Sequence, residues 1–200
     1  MKYFLLGAAF SLQCIANAQF EVPNGNFEVW DLYNTWTLEP LDWETPNDQL
    51  IASVRQDSAA YEGELAMRVT VLPGFEGGVP QEASILIPTD VAPDQLQFAV
   101  KTNVPEDVEQ DRVEVKVEFL SDNELLYDQT WQSFESIIEW EIVTMEFPEI
   151  FVDISHVRIT VSAGFTSGLF GGSWDTWISV DQMSEMITAV DAYLDQDDFL

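Results

Sequence analysis

The chain has 200 residues, 46% of them hydrophobic, with 36 Asp and Glu against 7 Lys and Arg and a formal net charge of −29. Such a surface repels nucleic acid and anionic membranes, which are bound through Lys and Arg, and it disfavours polyanionic glycans unless a cation bridges them. Solubility is the plain use of this charge; cation binding is a secondary one.

Residues 1–18 read as a secretory signal peptide. Lys2 supplies the positive start, Tyr3 to Leu12 is almost wholly apolar, and Ala16-Asn17-Ala18 is a small-x-small cleavage site. Gln19 is the expected mature N-terminus, and the product is expected to be secreted or to stand at the cell surface or in the periplasm. The apolar run is shorter than the ~20 residues a membrane span needs, so no membrane insertion is expected after cleavage. A buried N-terminal helix is the structural alternative. A lipid anchor on Cys14 would need a small residue before it, and Gln13 stands there. Cys14 is the one cysteine, so the mature chain has no disulfide, thiolate metal site or cysteine nucleophile. About 180 residues can bury a core of their own.

Asn24 to Gln49 has little alternation and carries Trp30, Tyr33, Trp36 and Trp43; it reads as a first strand and a long ordered loop. Period-two strands follow. Leu65, Met67, Val69 and Val71 form one apolar face, and Leu96, Phe98 and Val100 another; Val113 to Phe119 and Val157 to Val161 alternate in the same way. Ser84 to Ile87, Trp140 to Phe147 and Ile178 to Val180 read as further strands. In the last of these Ser179 and Asp181 point away from Ile178 and Val180. Ser121-Asp122-Asn123-Glu124 reads as a hairpin turn. Pro73-Gly74, Gly77-Gly78 and Gly164 to Gly172 break the chain into loops. With no strand–helix alternation, these runs predict an all-β antiparallel sandwich over residues 19–185. Residues 186–200 end acidic, and the spacing from Met183 to Leu194 predicts a short frayed helix or a disordered tail.

Few residues here suit catalysis. His156 is the lone histidine and has the polar parity of its strand, which makes a poor triad or zinc site. No Gly-x-Ser-x-Gly elbow or phosphate loop is present. No carboxylate pair stands out for glycoside hydrolysis. With six Lys and Arg beyond Lys2, a uronate lyase is short of cations. Of the seven Trp, Trp43 and Trp140 are expected to pack against the sandwich. Tyr33, Trp36, Trp131 and Trp177 are the candidates for sugar-stacking platforms, by loop position or outward parity.

The ordered set of motifs resembles a known group. Pro23 to Trp30 (PNGNFEVW) opens it; Leu41 to Asn47, Tyr61 to Val69, Leu96 to Lys101, Asp111 to Leu120, Trp140 to Phe147 and Val157 to Val161 follow; Gly172-Ser173 and Val180-Asp181 close it. It resembles a secreted bacterial family of carbohydrate metabolism domains and, more broadly, the galactose-binding-like jelly-roll modules appended to glycan-degrading enzymes. The resemblance implies a jelly roll, non-catalytic binding of a poly- or oligosaccharide, and a structural Ca2+ held by Glu28 and Asp181. The segment Asp57 to Gly63 could supply carbonyl oxygens to that ion. Gln182 stands where the family often has a second acid. Glu28 and Asp181 could instead be surface acids or partners of Arg68. The neutral charge class of the glycan is expected from the acidic surface. The rival readings are a cell-surface structural or adhesion component and a glycoside hydrolase.

Overall fold

The structure is a computed structural model, and it describes residues 20–32, 37–48, 51–73, 78–106, 111–149, 153–164 and 173–184. The expected signal peptide, Tyr33, Trp36 and the C-terminal helix or tail lie outside the described residues. The described elements are strands. In chain order they are β1 Trp30–Leu32, β2 Leu38–Pro40, β3 Val54–Asp57, β4 Ala66–Thr70, β5 Leu72–Pro73, β6 Gly78–Val79 and β7 Gln81–Pro88. There follow β8 Gln95–Asn103, β9 Val113–Ser121, β10 Glu124–Ser133, β11 Glu141–Glu146, β12 His156–Ala163 and β13 Trp177–Ser184. Two antiparallel sheets form the sandwich: a four-stranded sheet ordered β10-β9-β12-β7 and a five-stranded sheet ordered β11-β8-β13-β4-β3. The pairs β1-β2 and β5-β6 are small accessory hairpins.

The alternation read in the sequence is the alternation of the core. Val113, Val115, Val117 and Phe119 of β9 and Val157, Ile159 and Val161 of β12 are all within 1% of full burial, facing Phe98, Val100, Met67, Val69, Ile178 and Val180 of the other sheet. Each such side chain contributes about 1.5–3 kcal/mol by leaving water, which is the main force closing the two sheets. Asp122 and Asn123 both take positive φ, 47° and 71°, so the β9-β10 hairpin closes in the left-handed geometry that short polar residues tolerate.

Three expectations change. The sequence pattern did not show β10, because a register shift between Leu125 and Tyr127 breaks its period of two on an exposed edge. It did not show β3, which is four residues long and whose middle pair is exposed. Trp140 does not pack into the sandwich. It is half-buried on the outside, where its indole N–H donates to the Ala59 carbonyl at 2.9 Å and its ring meets Tyr61 edge-on at 6.3 Å. Trp43, at 4% exposure, does join the core, tilted against Phe27 at 5.3 Å.

Candidate functional site

The opening motif is a tight knot, and its residue types explain it. The chain turns at Val22–Gly25 and again at Asn24–Phe27, each closed by a backbone hydrogen bond. Asn24 sits at φ 48°, a region Asn tolerates, and its amide brackets Val29: Nδ2 donates to the Val29 carbonyl at 2.8 Å and Oδ1 accepts from the Val29 N–H at 3.1 Å. Phe27, held at φ 52°, drops its ring wholly into the core. Glu28 then points to the opposite side. The Met183 N–H donates to the Gly25 carbonyl at 2.8 Å, joining this knot to the end of β13.

Glu28 and Asp181 meet on one segment, Tyr61–Leu65. Glu28 Oε1 accepts from the Glu64 and Leu65 N–H groups at 2.7 and 3.0 Å. Asp181 Oδ2 accepts from Tyr61 and Glu62 N–H at 2.9 and 3.1 Å, and Oδ1 from Gln182 N–H at 2.8 Å. Gln182 has φ 51° and lies in the register shift of β13 against β8, which turns the Asp181 carboxylate under the segment. Ser179 and Asp181 do face outward from the sheet, as their parity requires, but both are fully buried, Asp181 beneath the segment and Ser179 against the Asp57 and Arg68 side chains. Burial pushes the Asp181 carboxyl above the usual carboxylate range against the pull of its three N–H donors, and the nearby Glu28 charge adds to the rise.

Arg68 pairs with neither of these acids. Its Nη2 lies 2.5 Å from Asp57 Oδ2 and its Nε donates to Ser179 Oγ at 3.0 Å. Burial works to raise the Asp57 carboxyl, but hydrogen bonds from Ser179 and Ala59 N–H and the Arg68 charge outweigh it and hold it below its ordinary value. Asp57 therefore stabilises the fold above the ordinary carboxylate pKa, and that contribution is lost as pH falls through its depressed one.

Trp177 faces outward on β13, half-buried, with the Arg68 guanidinium 4.0 Å over its ring. Trp131 faces inward, opposite Val115, with its ring edge-on to Phe98 at 5.8 Å. The Trp that the sequence reading missed is Trp174, 64% exposed. It rides a turn whose Thr176 N–H donates to the Ser173 carbonyl at 3.1 Å, and the buried Asp111 holds that turn through Ser173 N–H and the Thr176 hydroxyl. Its position between Ser173 and Asp175, just after a Gly-rich stretch of sequence, was the available signal.

The outer face of the four-stranded sheet is a polar grid. Cross-strand rows read Glu82–Ser162–Glu114, Ser84–Thr160–Lys116 and Leu86–Arg158–Glu118 over β7, β12 and β9. The three cations of the face are all paired with its acids: Arg112 with Glu114, Lys116 with Glu118 and Asp128, and Arg158 with Glu118, while Glu82 stands outside these pairs. Burial works to raise Glu118, yet the Lys116 and Arg158 partners hold it below its ordinary value; Lys116 is raised in turn, chiefly by its hydrogen bond to Glu118. A groove of about 470 Å³ runs over one end of this grid, lined by Pro46, Pro80, Gln81, Glu82, Arg112, Glu114, Ser162 and Gly164.

No family model matches the chain, and no curated protein matches it in sequence. Solved structures are similar to it in fold. A candidate glycoside hydrolase from Bacteroides thetaiotaomicron is 9% identical, with 80% of this chain covering 70% of that one at a TM-score of 0.59. A carbohydrate-binding module of the β-sandwich superfamily with promiscuous specificity is 14% identical, with 73% covering 57% at 0.52. A family 61 carbohydrate-binding module in complex with β-1,4-galactotriose is 15% identical, with 81% covering 90% at 0.46. The fold is the jelly-roll β-sandwich of such modules, as the motif order implied.

Proposed function

We propose that this chain is a non-catalytic carbohydrate-binding domain that takes a neutral glycan in the groove on the four-stranded sheet. The observation that carries this reading is the polar grid with its cations paired. Its cations are tied to its own acids, so it presents hydroxyls, fixed dipoles and a surplus acid, Glu82, rather than free cations, the chemistry that takes a neutral polyol in preference to an acidic one, while Pro46 and Pro80 give the groove apolar walls. Glu82 and Glu114 flank Ser162 in one row, their backbones two strand spacings or roughly 9.6 Å apart across the sheet. That spacing lies just beyond the roughly 6.5–9.5 Å between the carboxyl groups of an inverting glycosidase. The Arg112 salt bridge to Glu114 favours binding over hydrolysis, and no release of reducing sugar is expected. In an affinity gel, wild type is expected to be retarded by at least one neutral polysaccharide. Ser162→Tyr should abolish the retardation with an unchanged melting temperature. Free migration of wild type on every neutral glycan tried would remove the proposal.

The second reading, a cell-surface adhesion module, is favoured by Trp174, a large aromatic held outward on a braced turn. Under it, Trp174→Ala would impair assembly and leave glycan retention untouched.

Calcium belongs to the same proposal. The donors suit a hard cation: two carboxylates close enough for one charge to raise the other, beside backbone at Gly63 so near Glu28 that any Cβ would overlap Oε1. Among the described residues no group of three or more acidic, His or Cys side chains could hold a metal, so backbone carbonyls would have to complete the shell. Bound there, the ion would relieve the Glu28–Asp181 repulsion and fix the segment Tyr61–Leu65. Saturating calcium is then expected to raise the melting temperature by roughly 5–10 °C, as a ligand at about 100 times its Kd would. Glu28→Gln should erase the rise. Superimposable scans in calcium and in EDTA would dismiss the ion.

A further inference from the structure

The opposite face of the sandwich gathers a row of cations beside the acids Asp57 and Asp181. Register aligns Arg55 of β3 with Arg68 of β4, Arg68 with Ser179 of β13, and Ser179 with Lys101 of β8, all on the outer side of the five-stranded sheet. Three of the six cations beyond Lys2 therefore stand in one row, in a chain of net charge −29. Asp57 neutralises Arg68. Arg55 and Lys101 have no carboxylate partner among the described residues. Arg55 is exposed and reaches over the sheet, its Nη2 donating to Thr70 Oγ1 at 3.4 Å. Thr70 lies directly opposite Trp177, whose ring already carries the Arg68 guanidinium.

We infer that this row is a second ligand surface, for an acidic glycan whose carboxylate or sulfate groups pair with Arg55 and Lys101. The row crosses three strand spacings, about 14 Å, so the two free cations meet anionic groups spread along a chain rather than one small ion. The surrounding acidic surface repels a dense polyanion, which selects against nucleic acid. A sparsely charged sugar chain meets the cations without running its other charges onto that surface. The Trp177 and Trp140 rings beside the row offer apolar edges for sugar C–H groups.

The test is retention of the full chain, in EDTA so that no cation bridges, on three probes: oligogalacturonate, its methyl-esterified neutral form, and a sulfated galactan. Wild type is expected to bind at least one acidic probe in a salt-sensitive way. Arg55→Gln with Lys101→Gln should weaken that binding roughly tenfold, the product of two exposed pairs of under 1 kcal/mol each. Ser162→Tyr should leave it unchanged, because its groove lies on the other sheet. Carboxylate and sulfate sources are told apart by which acidic probe responds. The inference is overturned if wild type binds neither acidic probe, or if the double variant binds them as wild type does. Loss of neutral-glycan retention alone bears on the groove and not on this row.

Discussion

Gly25→Ala is expected to cost roughly 2–4 kcal/mol, the range of an overpacking change that also breaks a buried backbone bond. Gly25 is buried, and a Cβ built on it would overlap the carbonyl oxygen of Met183. That oxygen is backbone in β13 and cannot rotate away as a side chain could. The N-terminal knot would have to lift, breaking the 2.8 Å bond from Met183 N–H to the Gly25 carbonyl and dragging Phe27 out of the core. For a chain of this size the loss corresponds to about 4–16 °C in melting temperature. Asn26→Ala, next door but exposed, should stay within about 0.5 kcal/mol. Thermal scans of both variants decide the matter. A Gly25→Ala protein melting with wild type would show that the knot does not depend on this close approach.

That glycine marks how far the motif could be read unaided. Val113 to Phe119 announced a strand because one face of it is core and the other is water, and nothing non-local was needed. Asn24 to Trp30 and Asp181 could be matched as two ends of one fold, but the segment they grip could not. Tyr61–Leu65 is irregular, and it contributes backbone N–H groups that every residue type possesses. Arg68 shows the same limit: its partner Asp57 is defined by cross-strand register and not by spacing. Exposure was equally hidden. Trp177 and Trp174 are three positions apart, yet one lies half-buried under a guanidinium and the other stands on a turn braced by Asp111, more than sixty positions earlier.

Asp181→Ala should destabilise by about 3 kcal/mol, because it strands the N–H groups of Tyr61, Glu62 and Gln182, each worth about 1–3 kcal/mol when left without an acceptor and less where water can reach. Asp181→Asn should fall between the two, since its amide nitrogen must face at least one of those donors. The pH dependence separates a bare clasp from a cation-filled one. Without metal, burial and the Glu28 charge raise the Asp181 pKa in the folded state above its unfolded value. The folded state then holds the proton more tightly, so the stability that Asp181 contributes is greatest below the unfolded pKa and declines as pH rises through the folded one. In EDTA the gap in melting temperature between wild type and Asp181→Asn should therefore narrow as pH rises from about 3.8 through that window. A bound calcium ion favours the ionised carboxylate and reverses the sign. In saturating calcium the same gap should widen with rising pH. A gap that narrows identically in both buffers would leave Glu28 and Asp181 as a hydrogen-bonded clasp alone, with the segment Tyr61–Leu65 held by N–H groups and no ion.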